Sequence, residues 1–125
     1  MKNIVIVGSG GFARETKLII DRIKQNNAKW KFCGYIDKET TKENVLGDDA
    51  YLLNTYEELS VAIAIGNPRI RMELYKKYRN NKCIRFPNLI DPSVDIMDSV
   101  ELGEGNIICA NNAFTVDISI GNFNI

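Results

Sequence analysis

The sequence predicts an α/β fold, in which helices flank a parallel sheet and a segment of short, regularly spaced strands follows. Three features of the sequence support this prediction. First, an apolar run at residues 4–7 leads into a glycine cluster and then into an amphipathic helical pattern. Second, the apolar run at residues 61–65 is typical of a strand buried on both faces of a parallel sheet. Third, the helical period disappears from about residue 88. The 125 residues suffice for a stable core, and we expect two parts, residues 1–87 and 88–125.

Composition and charge exclude several classes of function. Lysine and arginine number 16, as do aspartate and glutamate, so no broad basic surface is expected for nucleic acid or an anionic membrane. No apolar run approaches membrane-spanning length or forms a signal peptide. Histidine is absent and Cys33, Cys83 and Cys109 are widely spaced, so we expect free, buried thiols and no metal site. We therefore expect a soluble, cytoplasmic protein.

The N-terminal elements follow one another as strand, glycine turn and helix. Residues 4–7 are β-branched and predict a buried strand. The glycines within residues 8–13 permit a sharp turn. The next helix is predicted to lay one apolar stripe on the sheet and to end at residues 25–27. That stripe consists of Thr16, Ile19, Ile20 and Ile23.

Further strands are predicted downstream of this unit. The polar residues 38–44 are predicted to face solvent, and residues 45–53 carry short apolar pieces that predict no definite element. A short helix is expected from Thr55, as the N-cap, to Leu59. The predicted strands are residues 30–36, 61–65 and 83–86.

A second long helix is predicted after the third strand. Asn67 as the N-cap and Pro68 at the first helical position form a favourable helix start. The apolar side of this helix is predicted to consist of Ile70, Leu74, Tyr75 and Tyr78.

Residues 8–13 also carry a phosphate-binding pattern. Their sequence, GSGGFA, fits Gly-x-Gly-x-x-Ala, a variant of the dinucleotide-binding fingerprint. The first glycine permits the turn, the next ones let a phosphate approach the backbone, and Ala13 keeps the helix close to the sheet. The free N–H groups and the positive dipole end of the helix stabilise an anion. The pattern predicts phosphate or nucleotide binding, with a purely structural glycine turn as the alternative.

Residues at the ends of two other strands are predicted to meet this turn. Asp37 ends the second strand, where such folds bind a ribose hydroxyl or a base N–H; the alternative is a solvated aspartate. Gly66 and Asn67 end the third strand, and they face the glycine turn if the second and third strands flank the first. Arg69 and Arg71 are candidates to reach an anionic ligand, with a solvated charge as the alternative for each.

Beyond residue 88, large apolar residues recur at a six-residue period. Glycine follows two of them, Leu102 and Ile120. Such a period indicates a hexapeptide β-helix, in which each repeat supplies one short strand and one corner, while irregular strands are the alternative. The periodic positions are Ile96, Leu102, Ile108, Phe114 and Ile120.

These features together resemble the sugar O- and N-acyltransferases of the sialic acid O-acetyltransferase and bacillosamine-type acetyltransferase family. The ordered set of segments, rather than any single motif, carries the resemblance, and it covers nearly the whole chain. The segments are residues 4–13, GYID at 34–37, AIGN at 64–67 with Arg71, IDPS at 90–93 and LGEG at 102–105.

The resemblance implies a Rossmann-like parallel sheet flanked by helices, followed by the start of a left-handed parallel β-helix. In that family the first domain binds a nucleotide-activated sugar, typically a UDP-sugar. The β-helix forms a homotrimer and binds acetyl-CoA, the acetyl donor, between subunits. The implied contacts are phosphate at Gly8, Ser9, Gly10 and Gly11, base or ribose at Asp37 and Lys38, and substrate at Gly66, Asn67 and Arg71.

Two departures from the family pattern bear on activity. Phe12 stands where the glycine loop often carries histidine, so one polar contact is lost. In the family the catalytic base is a histidine of a later β-helix coil. This sequence contains no histidine, and no nucleophile–base pair can be assembled from its other residues. We expect the N-terminal part of a longer sugar O- or N-acetyltransferase, which binds the nucleotide-sugar but does not catalyse transfer. The alternatives are a non-catalytic nucleotide- or NAD-binding regulatory module and an NAD-dependent oxidoreductase.

Overall fold

The computed structural model describes residues 2–26, 29–96, 101–109, 113–114 and 119–120. Its main sheet has five parallel strands in the order β3-β2-β1-β4-β5. The strands are β1 (Lys2–Val7), β2 (Trp30–Ile36), β3 (Val45–Gly47), β4 (Leu59–Ile63) and β5 (Ile84–Arg85). The helices are α1 (Gly11–Asn26), α2 (Asp49–Leu53) and α3 (Pro68–Tyr78). The predicted α/β fold, with a parallel sheet flanked by helices, is confirmed.

Strand β1 lies at the centre of the sheet and is buried on both faces. Ile4 and Ile6 belong to the core on the α1 side, and Val5 and Val7 belong to the core that contains Tyr78 of α3. Side chains alternate along a strand, so an unbroken apolar run fills both cores. These four side chains are at most 5% exposed, whereas the first two residues of β1 are exposed. This central strand delivers the glycine turn to the middle of the sheet edge.

Helix α1 presents the predicted stripe to the sheet. The hydroxyl of Thr16 donates to the carbonyl of Phe12 at 2.9 Å, so its polar group is satisfied within the helix. The helix ends at Asn26, and the neighbouring Asn27 lies outside the described residues. Among the described residues, no helix has the length and apolar content to span a bilayer. The buried or partly buried stripe is Thr16, Ile19, Ile20 and Ile23.

The short helix before β4 lies earlier in the chain than predicted. The predicted helix from Thr55 to Leu59 is wrong, because α2 occupies Asp49–Leu53. Asp48 caps α2 by accepting a hydrogen bond from the N–H of Ala50 at 3.0 Å. Leu59 begins β4 instead, and its side chain is buried in the core with only 7% of its surface exposed. Burial of an apolar side chain in the sheet therefore outweighs the local capping signal.

Helix α3 begins where predicted, but its buried side differs by one position. The side chain of Asn67 accepts from the N–H of Arg69 at 2.9 Å, and Pro68 is the first helical residue. Ile70 is 42% exposed, so its assignment to the apolar side is wrong. A regular i, i+3, i+4, i+7 stripe starts one residue later. The buried or partly buried side is Arg71, Leu74, Tyr75 and Tyr78.

The hydroxyl of Tyr78 joins α3 to α2. Tyr78 is fully buried, and its hydroxyl donates to the carboxylate of Asp49, which also accepts from Lys77 at 2.6 Å. Burial and this bond raise the pKa of Tyr78, so the phenol stays protonated.

We expect Tyr78→Phe to lower the free energy of unfolding by about 1–2 kcal/mol, measured by urea denaturation. Tyr56→Phe, at a residue 85% exposed, is the control and should change it by less than about 0.5 kcal/mol; equal midpoints for both variants would contradict this role.

Short strands follow the main sheet at a regular spacing. Successive strands start six residues apart, and each of the first three pairs in parallel with the strand that starts eighteen residues further on. The predicted six-residue positions are the second residues of the last five strands. A left-handed β-helix and a boundary at residue 87 stay predictions, and Gly121 lies outside the described residues. The strands are β6 (Leu89–Ile90), β7 (Asp95–Ile96), β8 (Glu101–Leu102), β9 (Ile107–Ile108), β10 (Ala113–Phe114) and β11 (Ser119–Ile120).

Strands β6 and β9 pack directly against the first part of the chain. Leu89 and Ile107 are at most 1% exposed and lie in the same core cluster as Ile4. Arg22 of α1 lies 2.6 Å from the carboxylate of Asp91, which is buried. The apolar contacts and this ion pair attach the C-terminal strands to α1.

Candidate functional site

The carboxyl ends of β1, β2 and β4 meet at one edge of the sheet, because β1 lies between the other two. The N–H of Gly8 donates to the carbonyl of Ile36 at the end of β2, at 2.8 Å. On the other side, the N–H of Ala64 donates to the carbonyl of Val7 at 3.0 Å. The loop after β1 is thus held between the loops after β2 and β4, at the predicted topological switch point.

Gly8 is required by the fold itself. Its φ is +106°, in the region that favours glycine. A Cβ at this position would lie 3.0 Å from the carbonyl oxygen of Ala64 and 3.2 Å from Cδ1 of Ile65. Gly8 therefore allows the close approach of β1 and β4 that shapes the edge.

Gly10, Gly11 and Gly66 are not required by the described part of the chain. A Cβ on any of them would meet no described atom within 4 Å. Gly10 and Gly11 lie at the start of α1, a 16-residue helix with no acidic residue in its first turn. The N–H groups of a first turn have no acceptor within the helix, and the dipole there is positive. These open glycines and N–H groups suit an anion such as phosphate.

Asp37 lies beside the glycine loop as a carboxylate. The hydroxyl of Ser9 donates to its Oδ2, and the N–H of Glu39 donates to its Oδ1 at 3.3 Å. The Ser9 bond is the main cause that holds the pKa of Asp37 below its usual value, while partial burial opposes it. Asp37 is therefore an ionised hydrogen-bond acceptor at neutral pH. The structure brings together Ser9 and Asp37 as the sequence predicts.

Two lysines near Asp37 have different surroundings. Lys38 is exposed and follows Asp37 directly in the chain. Lys42 instead lies with Nζ 3.2 Å from the hydroxyl oxygen of Ser9 and 3.9 Å from Oδ2 of Asp37. Sequence reasoning missed Lys42, because it belongs to a polar segment without a motif or a period. A base or ribose contact at Lys38 stays a prediction.

Arg71 is built into the turn after β4. It is 9% exposed, and its Nη1 donates to the carbonyls of Ile65 at 2.9 Å and Gly66 at 2.8 Å. The solvated-charge alternative is therefore wrong for Arg71, and burial lowers the pKa of its guanidinium. Arg69 is exposed, and Asn67 uses its side chain to cap α3. Substrate contacts at these residues stay predictions.

A separate cleft of about 600 Å³ lies between β3, α2 and the segment that leads into β4. Tyr51 and Tyr56 line it together with the acidic residues Asp48, Glu57 and Glu58. None of the predicted site residues lines it. The glycine loop and the cleft are thus distinct surfaces.

Comparison with known proteins identifies the family. Residues 3–78 match the PglD N-terminal domain. The chain belongs to this family. The matched range contains the glycine loop, Asp37 and the turn after β4. A comparison with curated proteins gave no match.

Solved structures, among them proteins named as acetyltransferases, share the fold of this chain. A variant of perosamine N-acetyltransferase from Caulobacter crescentus, in complex with CoA and GDP-perosamine, is 27% identical with a TM-score of 0.83; the match covers 98% of this chain and 59% of that one. WeeI from Acinetobacter baumannii AYE is 25% identical with a TM-score of 0.77, and the match covers 98% of this chain and 59% of WeeI. The acetyltransferase domain of PglB from Neisseria gonorrhoeae FA1090, in complex with acetyl coenzyme A, is 18% identical with a TM-score of 0.85, covers 98% and 60%, and shows the fold alone.

The chain spans about three fifths of the length of these solved proteins. With the family match, the similarities confirm the predicted resemblance to nucleotide-sugar acyltransferases.

Proposed function

We propose that this chain binds a nucleotide-activated sugar and is the N-terminal portion of an acetyl-CoA-dependent sugar O- or N-acetyltransferase. The convergence of three strand-end loops on the N-terminus of α1 carries the proposal, because this edge binds ligands in open α/β sheets. The complex of the Caulobacter relative with GDP-perosamine supports a nucleotide-sugar as the ligand.

Each part of a nucleotide-sugar has a matching group at this edge. The diphosphate binds the first-turn N–H groups of α1, which Gly10 and Gly11 leave accessible. The carboxylate of Asp37 accepts a hydrogen bond from a ribose hydroxyl or a base N–H. The sugar extends toward Gly66 and Asn67 across the switch point. The ligand is a UDP-sugar, as the resemblance implies, or a GDP-sugar, as in the Caulobacter relative.

The C-terminal strands extend the proposal to the acyl donor. The C-terminal strands start six residues apart and pair in parallel with strands eighteen residues away. This spacing supports a hexapeptide β-helix in which three repeats form one coil. We assign residues 88–125 to the start of a left-handed parallel β-helix, which in the whole enzyme forms a homotrimer and binds acetyl-CoA. The complexes of relatives with CoA and acetyl coenzyme A support this donor. Acetyl transfer needs a general base, and the family's histidine base has no counterpart in this sequence.

Calorimetry of the 125-residue chain tests the binding step. We expect saturable heat with a UDP-sugar or a GDP-sugar and competition by the matching nucleoside diphosphate. We expect none with NAD, because the part of the chain that the structure describes shows no second mononucleotide-binding half, which a dinucleotide site uses. Asp37→Asn should weaken nucleotide-sugar binding about tenfold, since it removes a charged acceptor. Absence of heat with every nucleotide-sugar would contradict the proposal, and saturation with NAD alone would support the regulatory module.

A further inference from the structure

The segment between β2 and β3, residues 38–44, is anchored on the sheet although it is exposed. A turn is closed where the N–H of Lys42 donates to the carbonyl of Glu39 at 3.4 Å. Asn44 then takes a left-handed conformation, with a φ of +64°. Its carbonyl accepts a hydrogen bond from the N–H of Tyr35 in β2 at 2.8 Å. Lys42 is therefore presented from ordered backbone.

Gly34 makes this anchoring possible. Its φ is +149°, and a Cβ there would lie 2.7 Å from the carbonyl oxygen of Asn44 and 2.7 Å from Cγ of Leu46. Real Cβ atoms do not approach backbone so closely, so a larger residue would displace the segment from β2. A glycine within β2 thus lets the segment lie against the strand that Asp37 follows.

The segment places the ammonium of Lys42 at the glycine loop. Its Nζ is 3.2 Å from the hydroxyl oxygen of Ser9. Two carboxylates flank it, with Oδ2 of Asp37 at 3.9 Å and Oε2 of Glu39 at 3.6 Å. The Lys42 side chain remains 48% exposed, so the carboxylates position the ammonium without removing it from solvent.

We infer that Lys42 is a phosphate-binding residue of the nucleotide-sugar site, an inference that rests on the proposed function. A diphosphate on the first-turn N–H groups of α1 lies next to Ser9, within reach of an ammonium on a flexible four-carbon chain. The ammonium exchanges its carboxylate neighbours for charge-assisted hydrogen bonds to phosphate oxygens. Asp37 is then left to accept hydrogen bonds from the nucleoside.

Binding to a series of ligands tests the inference. Lys42→Gln in the 125-residue chain should weaken binding of UDP or GDP about tenfold. Binding of the corresponding nucleoside should change by less than about twofold, because only the phosphates are contacted. Lys42→Arg should restore most of the affinity for the diphosphate. Lys31→Gln is the matched control and should leave both affinities unchanged, because this exposed lysine lies near the start of β2, at the opposite end of the strand from the glycine loop.

The outcomes separate this inference from the proposed function. A wild-type chain that binds neither diphosphate overturns both. Wild-type binding together with undiminished diphosphate binding by Lys42→Gln overturns only the role of Lys42. Equal losses for the nucleoside and the diphosphate also overturn it, because they indicate a general disturbance of the site. Increasing salt should weaken diphosphate binding less in Lys42→Gln than in the wild type, and equal salt dependence would contradict a charge contact.

Discussion

Replacing Gly10 with valine is expected to remove most nucleotide binding and to leave the fold intact. A Cβ at Gly10 meets no described atom within 4 Å, so a side chain at this position starts in open space. The methyl groups of valine fill the space through which a phosphate approaches the first turn of α1. Loss of two charge-assisted hydrogen bonds costs about 3 kcal/mol, or roughly a hundredfold in affinity for the diphosphate. Calorimetry measures the affinity, and the free energy of unfolding should change by less than about 1 kcal/mol.

Gly8→Ala is the matched control, with the opposite expected profile. Alanine at Gly8 has to adopt a φ of +106° with its Cβ only 3.0 Å from the carbonyl oxygen of Ala64. We expect the free energy of unfolding to fall by about 2–3 kcal/mol, measured by urea denaturation. Wild-type affinity in Gly10→Val would contradict the phosphate site, and wild-type stability in Gly8→Ala would contradict the structural role of the first glycine.

Arg71→Met is expected to produce the largest loss of stability on α3. Methionine keeps an unbranched apolar chain but cannot donate to the carbonyls of Ile65 and Gly66, which Arg71 now holds at 2.9 Å and 2.8 Å. Hydrogen bonds from a charged donor are each worth about 1.5–3 kcal/mol, so we expect a loss of about 3 kcal/mol. The melting temperature should fall by roughly 10 °C, measured by circular dichroism. We expect the turn after β4 to loosen in the same variant, because these two bonds hold it.

Arg69→Met separates this effect from the loss of a positive charge. Arg69 lies two residues earlier on the exposed side of α3, and the backbone N–H that Asn67 caps is retained in the variant. We expect a change of less than about 0.5 kcal/mol in the free energy of unfolding. Similar melting temperatures for the two variants would show that the buried bonds of Arg71 do not hold the turn. A nucleotide affinity that falls in Arg71→Met alone, measured below its melting temperature, would connect the turn to binding.

The parts of the site that follow from local patterns could be predicted from the sequence. The apolar run of β1, the glycines after it and the stripe of α1 are consecutive, so their periodicity and turn chemistry identify the whole unit. Asp37 was placed at a strand end, and the Asn67-Pro68 helix start is a capping pattern. The sequence analysis predicts that these loops meet if the strands before them flank the first strand, and β2 and β4 do flank β1 in the main sheet.

Other features depended on contacts between distant residues. Thr55 carries a capping signal, but burial of Leu59 in the sheet decided that this stretch is not a helix. Ile70 is apolar, and its residue type predicts the buried side of α3, whereas Arg71 is buried instead because two carbonyls of the turn before the helix satisfy its guanidinium. No local pattern reports such partners.

The glycine loop and its helix were determined by the sequence alone, because each of their signals spans only a few consecutive residues. The tertiary structure decided which side chains stand around that loop. Lys42 reaches Ser9, 33 positions earlier, only because Gly34 lets the connecting segment lie against β2. Composition and period describe what a residue prefers locally, while the partner of a charge is set by how distant strands pack.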